Sequence, residues 1–188
     1  MRIISGIAKG KRIHLPVDKK TRPLKDMVKE SIFNILRHSD MLSKNLIDCI
    51  VLDLFSGVGS FGLEAISRGV EKVIFFEEYD PAVNLLVKNL KNLSFETKAE
   101  IKKKNIYDKN CFKNLNYNFD LVFLDPPFKD KKIMLLLNNL LKSNVVNSDT
   151  VIIVHRNKKI LDVFDKTFKI IREENYGSSK IIFGIFNF

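Results

Sequence analysis

Asp125, Pro126, Pro127 and Phe128 follow a short apolar run that ends at Leu124. Because prolines cannot donate ladder hydrogen bonds, the pair predicts the end of a strand and an extended path beyond it. The carboxylate of Asp125, backbone carbonyl groups and the ring of Phe128 would then meet at the carboxyl end of that strand, where open α/β sheets bind ligands. A turn without any function explains these four residues equally well when they are taken alone.

A second candidate site follows the apolar run 50–55, in which Asp53 is the one acid. Gly57, Gly59 and Gly62 come next, and the residues after them have helical composition. Strand, glycine-rich turn and helix together are typical of a nucleotide-binding βαβ unit. The glycines permit a tight turn and let the backbone approach a ligand with no Cβ in the way.

Polar side chains are also expected at the ends of the next two strands. The run 72–78 predicts a second strand that ends in Glu77 and Glu78. These acids follow the glycines by about 20 residues, the spacing at which a ribose-binding carboxylate is expected. The run 99–103 predicts a third strand, which leads to Asn105.

The order of the elements predicts the fold class. Further strands are expected at 119–124, 150–155 and 180–186, and helices at 60–68, 81–92 and 133–141. This alternation favours an α/β fold with a parallel sheet covered by helices on both faces. Ahead of it, two β-prone runs around residues 6–10 predict a β-ribbon. An amphipathic helix is expected next, because Val28, Ile32, Ile35 and Leu36 fall on one helical face.

The chain is strongly basic, with 32 Lys and Arg against 22 Asp and Glu and a formal net charge of +10. Residues 1–29 hold nine basic and two acidic residues, so +7 of this charge lies in a short N-terminal segment. Such a block favours a polyanionic partner, above all a nucleic acid, although a solvated basic face explains it about as well. The RNA-binding candidates are Arg2, Lys9, Lys11, Arg12, Arg22 and Lys25.

Composition argues against several other classes of protein. Cys49 and Cys111 lack Cys-x-x-Cys spacing, so neither a zinc site nor a disulfide scaffold is expected. His14, His38 and His155 are scattered and are expected to be surface or packing residues, so no metal is expected. No signal peptide or membrane-length apolar run is visible, which predicts a cytoplasmic protein. Nothing in the sequence demands more than a monomer.

Two cofactors compete for the glycine-rich site, a nicotinamide dinucleotide and S-adenosylmethionine. Asp53 lies just before the glycine turn, where it can face a positively charged sulfonium or amino group, and a dinucleotide has no such need. Asn105 offers an amide to an adenine edge. The run 125–128 has no role in hydride transfer. These three features favour S-adenosylmethionine.

Several segments also resemble a known family. The run 51–59 resembles motif I of class I methyltransferases, and 124–128 resembles the [Asp/Asn]-Pro-Pro-aromatic signature of enzymes that methylate exocyclic nitrogens. The segments 1–6, 10–13 and 21–34 are more specific and are similar to the bacterial 16S ribosomal RNA guanine-N2 methyltransferases of RsmD type. The resemblance covers essentially the whole chain. Leu24 departs from it, since the family usually has Thr there.

The resemblance implies a Rossmann-like class I methyltransferase sheet, mostly parallel with an antiparallel last strand. It implies an RNA-binding ribbon-and-helix extension at 1–44 and an S-adenosylmethionine-binding domain at 45–188. The expected reaction is methyl transfer to N2 of a guanine in 16S ribosomal RNA, guanine-966 in conventional numbering, and the expected partner is this RNA within a small-subunit particle. The expected catalytic residues are Asp125, Pro126, Pro127 and Phe128, and the expected cofactor-binding residues are Asp53, Phe55, Gly57, Gly59, Glu78, Tyr79, Asn105 and Ile106.

The Pro-Pro motif alone does not choose among acceptor nitrogens. DNA adenine-N6 and protein glutamine-N5 methyltransferases share it, and a non-catalytic RNA-binding module with the same fold is a further alternative. The basic N-terminal block argues against a protein substrate. The acids and glycines present at the ligand-facing strand ends argue against a non-catalytic module. The family's single acid after the second strand corresponds best to Glu78, although Glu77 is adjacent.

Overall fold

The computed structural model describes residues 1–16 and 24–188 and is built around a seven-stranded sheet. The strands are β1 (Ile50–Leu54), β2 (Lys72–Phe76), β3 (Ala99–Lys102), β4 (Leu121–Leu124), β5 (Val151–Asn157), β6 (Phe168–Tyr176) and β7 (Ser179–Phe186). Their order across the sheet is β3-β2-β1-β4-β5-β7-β6. The first five are parallel, and β7 is antiparallel to both of its neighbours. The predicted mostly parallel α/β sheet with an antiparallel last strand is confirmed.

Alternate residues of the central strands enter two apolar cores, one on each face of the sheet. In β4, Phe123 joins the core that contains residues of α2 (Ser60–Ser67) and α3 (Asp80–Leu93). Val122 joins the core that contains α4 (Ile133–Leu141). Because both faces are covered, these strands are continuous apolar runs in the sequence rather than alternating ones.

The N-terminal helix α1 (Asp26–His38) packs into the first of these cores. Its Phe33 stacks on Phe61 of α2 with ring centroids 5.1 Å apart, and Phe61 stacks on Phe123 of β4 at 3.9 Å. The N-terminal extension therefore shares its core with the sheet. A functional boundary between residues 44 and 45 stays a prediction.

The predicted β-ribbon is present in reduced form, as one antiparallel bridge between Arg2 and Arg12. The Ile3 N–H donates to the Lys11 carbonyl and the Gly10 N–H to the Ile3 carbonyl, both at 2.9 Å, and α2 binds another part of this backbone. Glu64 accepts hydrogen bonds from the backbone of Ile4 and Ser5 at 2.8 and 3.0 Å. These side-chain bonds fasten the N-terminus to the body of the protein.

Within residues 1–16 and 24–188, the helices are all too short or too polar to cross a bilayer.

Candidate active site

A cavity of about 1000 Å³ lies at the carboxyl ends of the parallel strands. Most of the predicted catalytic and cofactor-binding residues line it: Asp53, Phe55, Gly57, Glu78, Tyr79, Ile106, Asp125, Pro126, Pro127 and Phe128. Gly59 and Asn105 are not among its lining residues. The fold therefore brings the glycine turn and the Pro-Pro loop to one space, as expected for the ligand site of an open α/β sheet.

The two glycines of the turn have different tasks. Gly57 has a φ of 56° and lines the cavity, and a Cβ built there would meet no atom within 4 Å. Gly59, with a φ of 84°, precedes the first residue of α2. A Cβ on Gly59 would lie 2.4 Å from Leu86 Cδ1, so this glycine permits α3 to pack against the turn. Gly57 leaves open space for a ligand, whereas Gly59 leaves room for the side chain of Leu86.

Asp53 is a buried acid at the base of the cavity, with 1% of its surface exposed. Burial raises the pKa of its carboxyl group well above the ordinary value, and the nearby Asp125 and Glu77 raise it further. The Gly62 N–H opposes this shift by donating to Asp53 Oδ2 at 2.9 Å. A positively charged ligand group in the cavity would stabilise the ionised form of Asp53.

The two acids after β2 differ in their surroundings. Glu77 accepts a hydrogen bond from the Gly57 N–H at 2.7 Å and others from the backbone N–H groups of Glu78 and Tyr79 at 3.0 and 2.9 Å. Its carboxylate therefore joins the end of β2 to the glycine turn. The side chain of Glu78 is exposed, although it also lines the cavity. The assignment of a ribose to Glu78 stays a prediction.

The segment after β3 contributes three cavity residues, Lys104, Ile106 and Tyr107. Asn105 is exposed, and its Oδ1 accepts a hydrogen bond from the Tyr107 N–H at 2.9 Å. Ile106 is buried and lines the cavity. Tyr107, which the sequence patterns did not single out, also lines it and donates its hydroxyl hydrogen to Asp130. Its ring meets that of Phe55 edge to face at 6.0 Å.

His155, expected to be a surface or packing residue, is buried rather than on the surface. His155 lines the cavity, and its Nδ1 lies 2.7 Å from Asp125 Oδ1. The two residues meet because Leu124 of β4 pairs with Val154 of β5, which places the next residue of each strand side by side. The one sequence signal for this contact was the position of His155 near the end of the apolar run that became β5.

Behind the Pro-Pro loop lies a buried arginine that the sequence patterns also did not single out. Arg156 is fully buried, and its guanidinium donates to the carbonyl oxygens of Asp130 and Pro127 at 2.7 and 3.4 Å. The same group forms an ion pair with Asp162. Arg156 thus connects the loop after β4 to the segment after β5.

The predicted RNA-binding residues fall into two groups. Lys25 lines the cavity, as do two lysines that were not predicted, Lys104 and Lys129. The ribbon residues Arg2, Lys9, Lys11 and Arg12 are exposed but are not among the lining residues. The Gly6 turn of the ribbon lies against Ser67, at the opposite end of α2 from Ser60, which lines the cavity. Arg22 lies outside the described residues.

In the part of the chain that the structure describes, no group of three or more His, Cys, Asp or Glu side chains is arranged to hold a metal ion.

Comparison with known proteins agrees with this architecture. The family described as "Conserved hypothetical protein 95" matches residues 1–185. This chain belongs to that family, which comprises RsmD-type methyltransferases. The Haemophilus influenzae protein "Ribosomal RNA small subunit methyltransferase D" is 32% identical, and the match covers 94% of this chain and 89% of that protein. The Bacillus subtilis protein "Putative rRNA methyltransferase YlbH" is also 32% identical, over 94% of each chain.

Solved structures give the same result for the fold. The Escherichia coli structure described as "Putative methyltransferase yhhF" has a TM-score of 0.81 and 25% sequence identity, and the superposition covers 100% of this chain and 98% of that one. The class I methyltransferase architecture implied by the sequence resemblance is therefore confirmed for this RsmD-type family member.

Proposed function

We propose that this protein transfers a methyl group from S-adenosylmethionine to the exocyclic N2 of a guanine in 16S ribosomal RNA, by resemblance guanine-966. The observation that carries the proposal is the position of Asp125 and Pro126 on the wall of the cavity that the Gly57 turn also lines. The rRNA methyltransferase names of the full-length relatives support ribosomal RNA as the substrate class.

The cavity suits S-adenosylmethionine, which when bound supplies an electrophilic methyl group on a positively charged sulfur. Asp53 places a carboxylate against that positive charge, and the open space at Gly57 admits the ligand close to the backbone. Ile106 offers an apolar wall for the adenine, and an acid after β2 is available for the ribose hydroxyl groups. No metal enters this scheme.

Asp125 and Pro126 would prepare the acceptor nitrogen. The amino group of guanine is a poor nucleophile because its lone pair is delocalised into the ring. The carboxylate of Asp125 and the carbonyl group of Pro126 can each accept one amino hydrogen, which favours a pyramidal nitrogen with its lone pair directed at the methyl group. Such orientation contributes up to ~7–11 kcal/mol when the geometry is ideal. As the new N–C bond forms, the bond between the methyl carbon and the positively charged sulfur would break to leave a neutral thioether, and the amino group would release a proton to water.

Phe128 provides a flat surface beside these acceptors. Chemistry on a base requires that the base leaves its stack, at a cost of a few kcal/mol. Stacking on an aromatic side chain contributes about 1–3 kcal/mol per base, so Phe128 can offset much of that cost.

The basic residues would bind the RNA backbone. Lys25, Lys104 and Lys129 line the cavity, where they can neutralise phosphates next to the target base. The exposed ribbon residues would extend this contact along the RNA of a small-subunit particle. A protein that neutralises phosphates in this way binds with a steep dependence on salt.

The function is tested by incubating the protein, as the monomer we propose, with labelled S-adenosylmethionine and small-subunit particles that lack the modification. We expect label in N2-methylguanine at one position of 16S RNA. The Asp125→Ala variant should stay folded and bind S-adenosylmethionine but transfer methyl at least about tenfold more slowly. Asp149→Ala, a change at an exposed acid outside the cavity lining, is the matched control. Label in DNA or in protein glutamine would overturn the proposal, and absence of transfer would favour a binding module.

RNA binding is tested separately with two double variants. Lys104→Glu with Lys129→Glu should weaken particle binding and flatten its salt dependence, because both lysines line the cavity. Lys11→Glu with Arg12→Glu should do the same if the ribbon contacts RNA. Unchanged binding and methylation at low salt in the second variant would remove the ribbon from the RNA interface.

A further inference from the structure

His155 is held at both ring nitrogens inside the candidate active site. Its Nδ1 lies 2.7 Å from Asp125 Oδ1, and its Nε2 lies 2.9 Å from the hydroxyl oxygen of Ser179 on β7. His155 is 6% exposed and Ser179 is 4% exposed, so water does not compete freely for these bonds. The ring of Phe128 meets the imidazole edge to face at 5.9 Å.

The hydrogen positions follow from the chemistry of the partners. An ionised carboxylate can only accept hydrogen bonds, so the Nδ1 of His155 must carry the hydrogen that it shares with Asp125. In the neutral ring the Nε2 then accepts a hydrogen bond from the Ser179 hydroxyl group. The three side chains form a directed chain, from Ser179 through His155 to Asp125.

We propose that His155 is a positioning residue for methyl transfer, which holds the Asp125 carboxylate in the rotation that the acceptor amino group requires. The bond from Nδ1 occupies Oδ1 and leaves Oδ2 as the oxygen for an amino hydrogen. Without that bond the carboxylate can turn about its terminal torsion, which is a broad and weakly restrained one. The inference rests on the proposed role of Asp125 as an amino-group acceptor.

A purely structural histidine would hold β7 against β5 and have no effect on the reaction of the folded enzyme. Two isosteric changes separate these roles. His155→Asn keeps an amide N–H close to the position of Nδ1 and can still donate to Asp125. His155→Gln places its amide near the position of Nε2, where it reaches Ser179 and not Asp125.

The test compares kcat and KM for both variants with the unmodified small-subunit particle as acceptor. Loss of a hydrogen bond to a charged group corresponds to about a tenfold or greater loss of rate. We expect that loss in the kcat of His155→Gln, with the KM for S-adenosylmethionine unchanged, and substantial recovery in His155→Asn. His38→Gln, at an exposed position at the end of α1, is the control for a histidine change as such. Wild-type kcat in His155→Gln, or equal losses in both variants, would overturn the proposal.

A second measurement does not depend on activity. In protein labelled with ¹⁵N-histidine, the His155 ring should carry a hydrogen on Nδ1, and the Nδ1 signal should move in Asp125→Ala. A ring protonated only at Nε2 would overturn the positioning role. If wild-type protein shows the expected ring signals but does not methylate ribosomal RNA, the proposed function fails while the His155–Asp125 contact stands.

Discussion

Arg156 and Asp162 form a bidentate ion pair, in which Nε and Nη2 of Arg156 each lie 2.8 Å from a different carboxylate oxygen of Asp162. The Arg156 side chain is fully buried and that of Asp162 is 5% exposed. Because the same guanidinium also binds the carbonyl oxygens of Asp130 and Pro127, the pair sets the path of the loop that begins at Asp125. The geometry of the candidate active site therefore depends on a contact made outside it.

Removal of the acid from this pair should be strongly destabilising. Asp162→Asn leaves the charge of Arg156 buried without its counter-ion, which typically costs about 3–5 kcal/mol. We expect a lower free energy of unfolding in urea and a lower kcat for methyl transfer, because the loop loses its anchor. Glu173→Gln, at an exposed position on β6, is the matched control. A free energy of unfolding for Asp162→Asn equal to that of the wild type would contradict the anchoring role of the pair.

Asp53→Asn should stabilise the protein at neutral pH, and it should weaken cofactor binding. Burial raises the pKa of Asp53, so the folded protein retains a proton that the unfolded chain releases near pH ~4. The stability of the wild type therefore falls as pH rises from there through the raised pKa of the folded state. An asparagine side chain has no carboxyl group to titrate, and its amide oxygen can still accept the hydrogen bond from the Gly62 N–H.

Thermal unfolding at a series of pH values measures this effect. The Tm of Asp53→Asn should exceed that of the wild type by a few degrees at neutral pH, since 1 kcal/mol shifts the Tm of a chain of this size by ~2–4 °C. The difference should vanish near pH 4. Asp149→Asn is the control, and a Tm difference independent of pH would show that the charge of Asp53 is not its cause.

Glu64→Gln should destabilise the packing between α1, α2 and the N-terminal ribbon. Lys29 Nζ lies 3.7 Å from Glu64 Oε2, and neither side chain is exposed. Burial lowers the pKa of Lys29, and the charge of Glu64 opposes that shift. Without Glu64 the buried lysine charge keeps, among the described residues, only Asp26, a half-exposed acid whose Oδ1 lies 3.7 Å from Lys29 Nζ, so we expect a loss of up to about 3–5 kcal/mol at neutral pH.

The pH dependence of Glu64→Gln identifies the cause. A lysine whose pKa is lowered on folding makes stability rise with pH, because the unfolded chain binds the extra proton. The stability loss should therefore shrink as pH approaches 10. Chemical unfolding at pH 7 and pH 9.5 checks this, with the exposed Glu30→Gln on α1 as control. An equal loss at both pH values would assign the effect to the hydrogen bonds of Glu64 rather than to the charge of Lys29.

Both cysteine thiols should resist modification in the folded protein. Burial raises the pKa of Cys49 to about 12 and that of Cys111 to about 11. Since the thiolate is the reactive form, we expect no reaction with an aromatic disulfide reagent at pH 8, and reaction of two thiols after unfolding in urea. Ser148→Cys, at an exposed position, should add one fast-reacting thiol. Fast reaction of the wild type would contradict the burial of these residues.

Local patterns were sufficient to predict the elements that carry the site. The helix at 133–141 and the strand expected at 50–55, which spans Ile50–Leu54, follow from local apolar composition and from the residues that bound them, because these properties are set by neighbours in the chain. The stop at Pro126 follows from proline chemistry in the same way. Such features predict which residues lie at strand ends, and parallel pairing brings those ends to one edge.

Side-chain contacts between strands could be identified only from the tertiary structure. The sequence alone determined an α/β chain with a glycine turn, a Pro-Pro loop and a basic N-terminus. Only the folded sheet decided that His155 contacts Asp125, that Glu77 rather than Glu78 bonds to the glycine turn, and that Arg156 holds the loop. The physical reason is that side-chain partners across a sheet depend on strand order and register, and a shift by one residue turns a side chain to the opposite face.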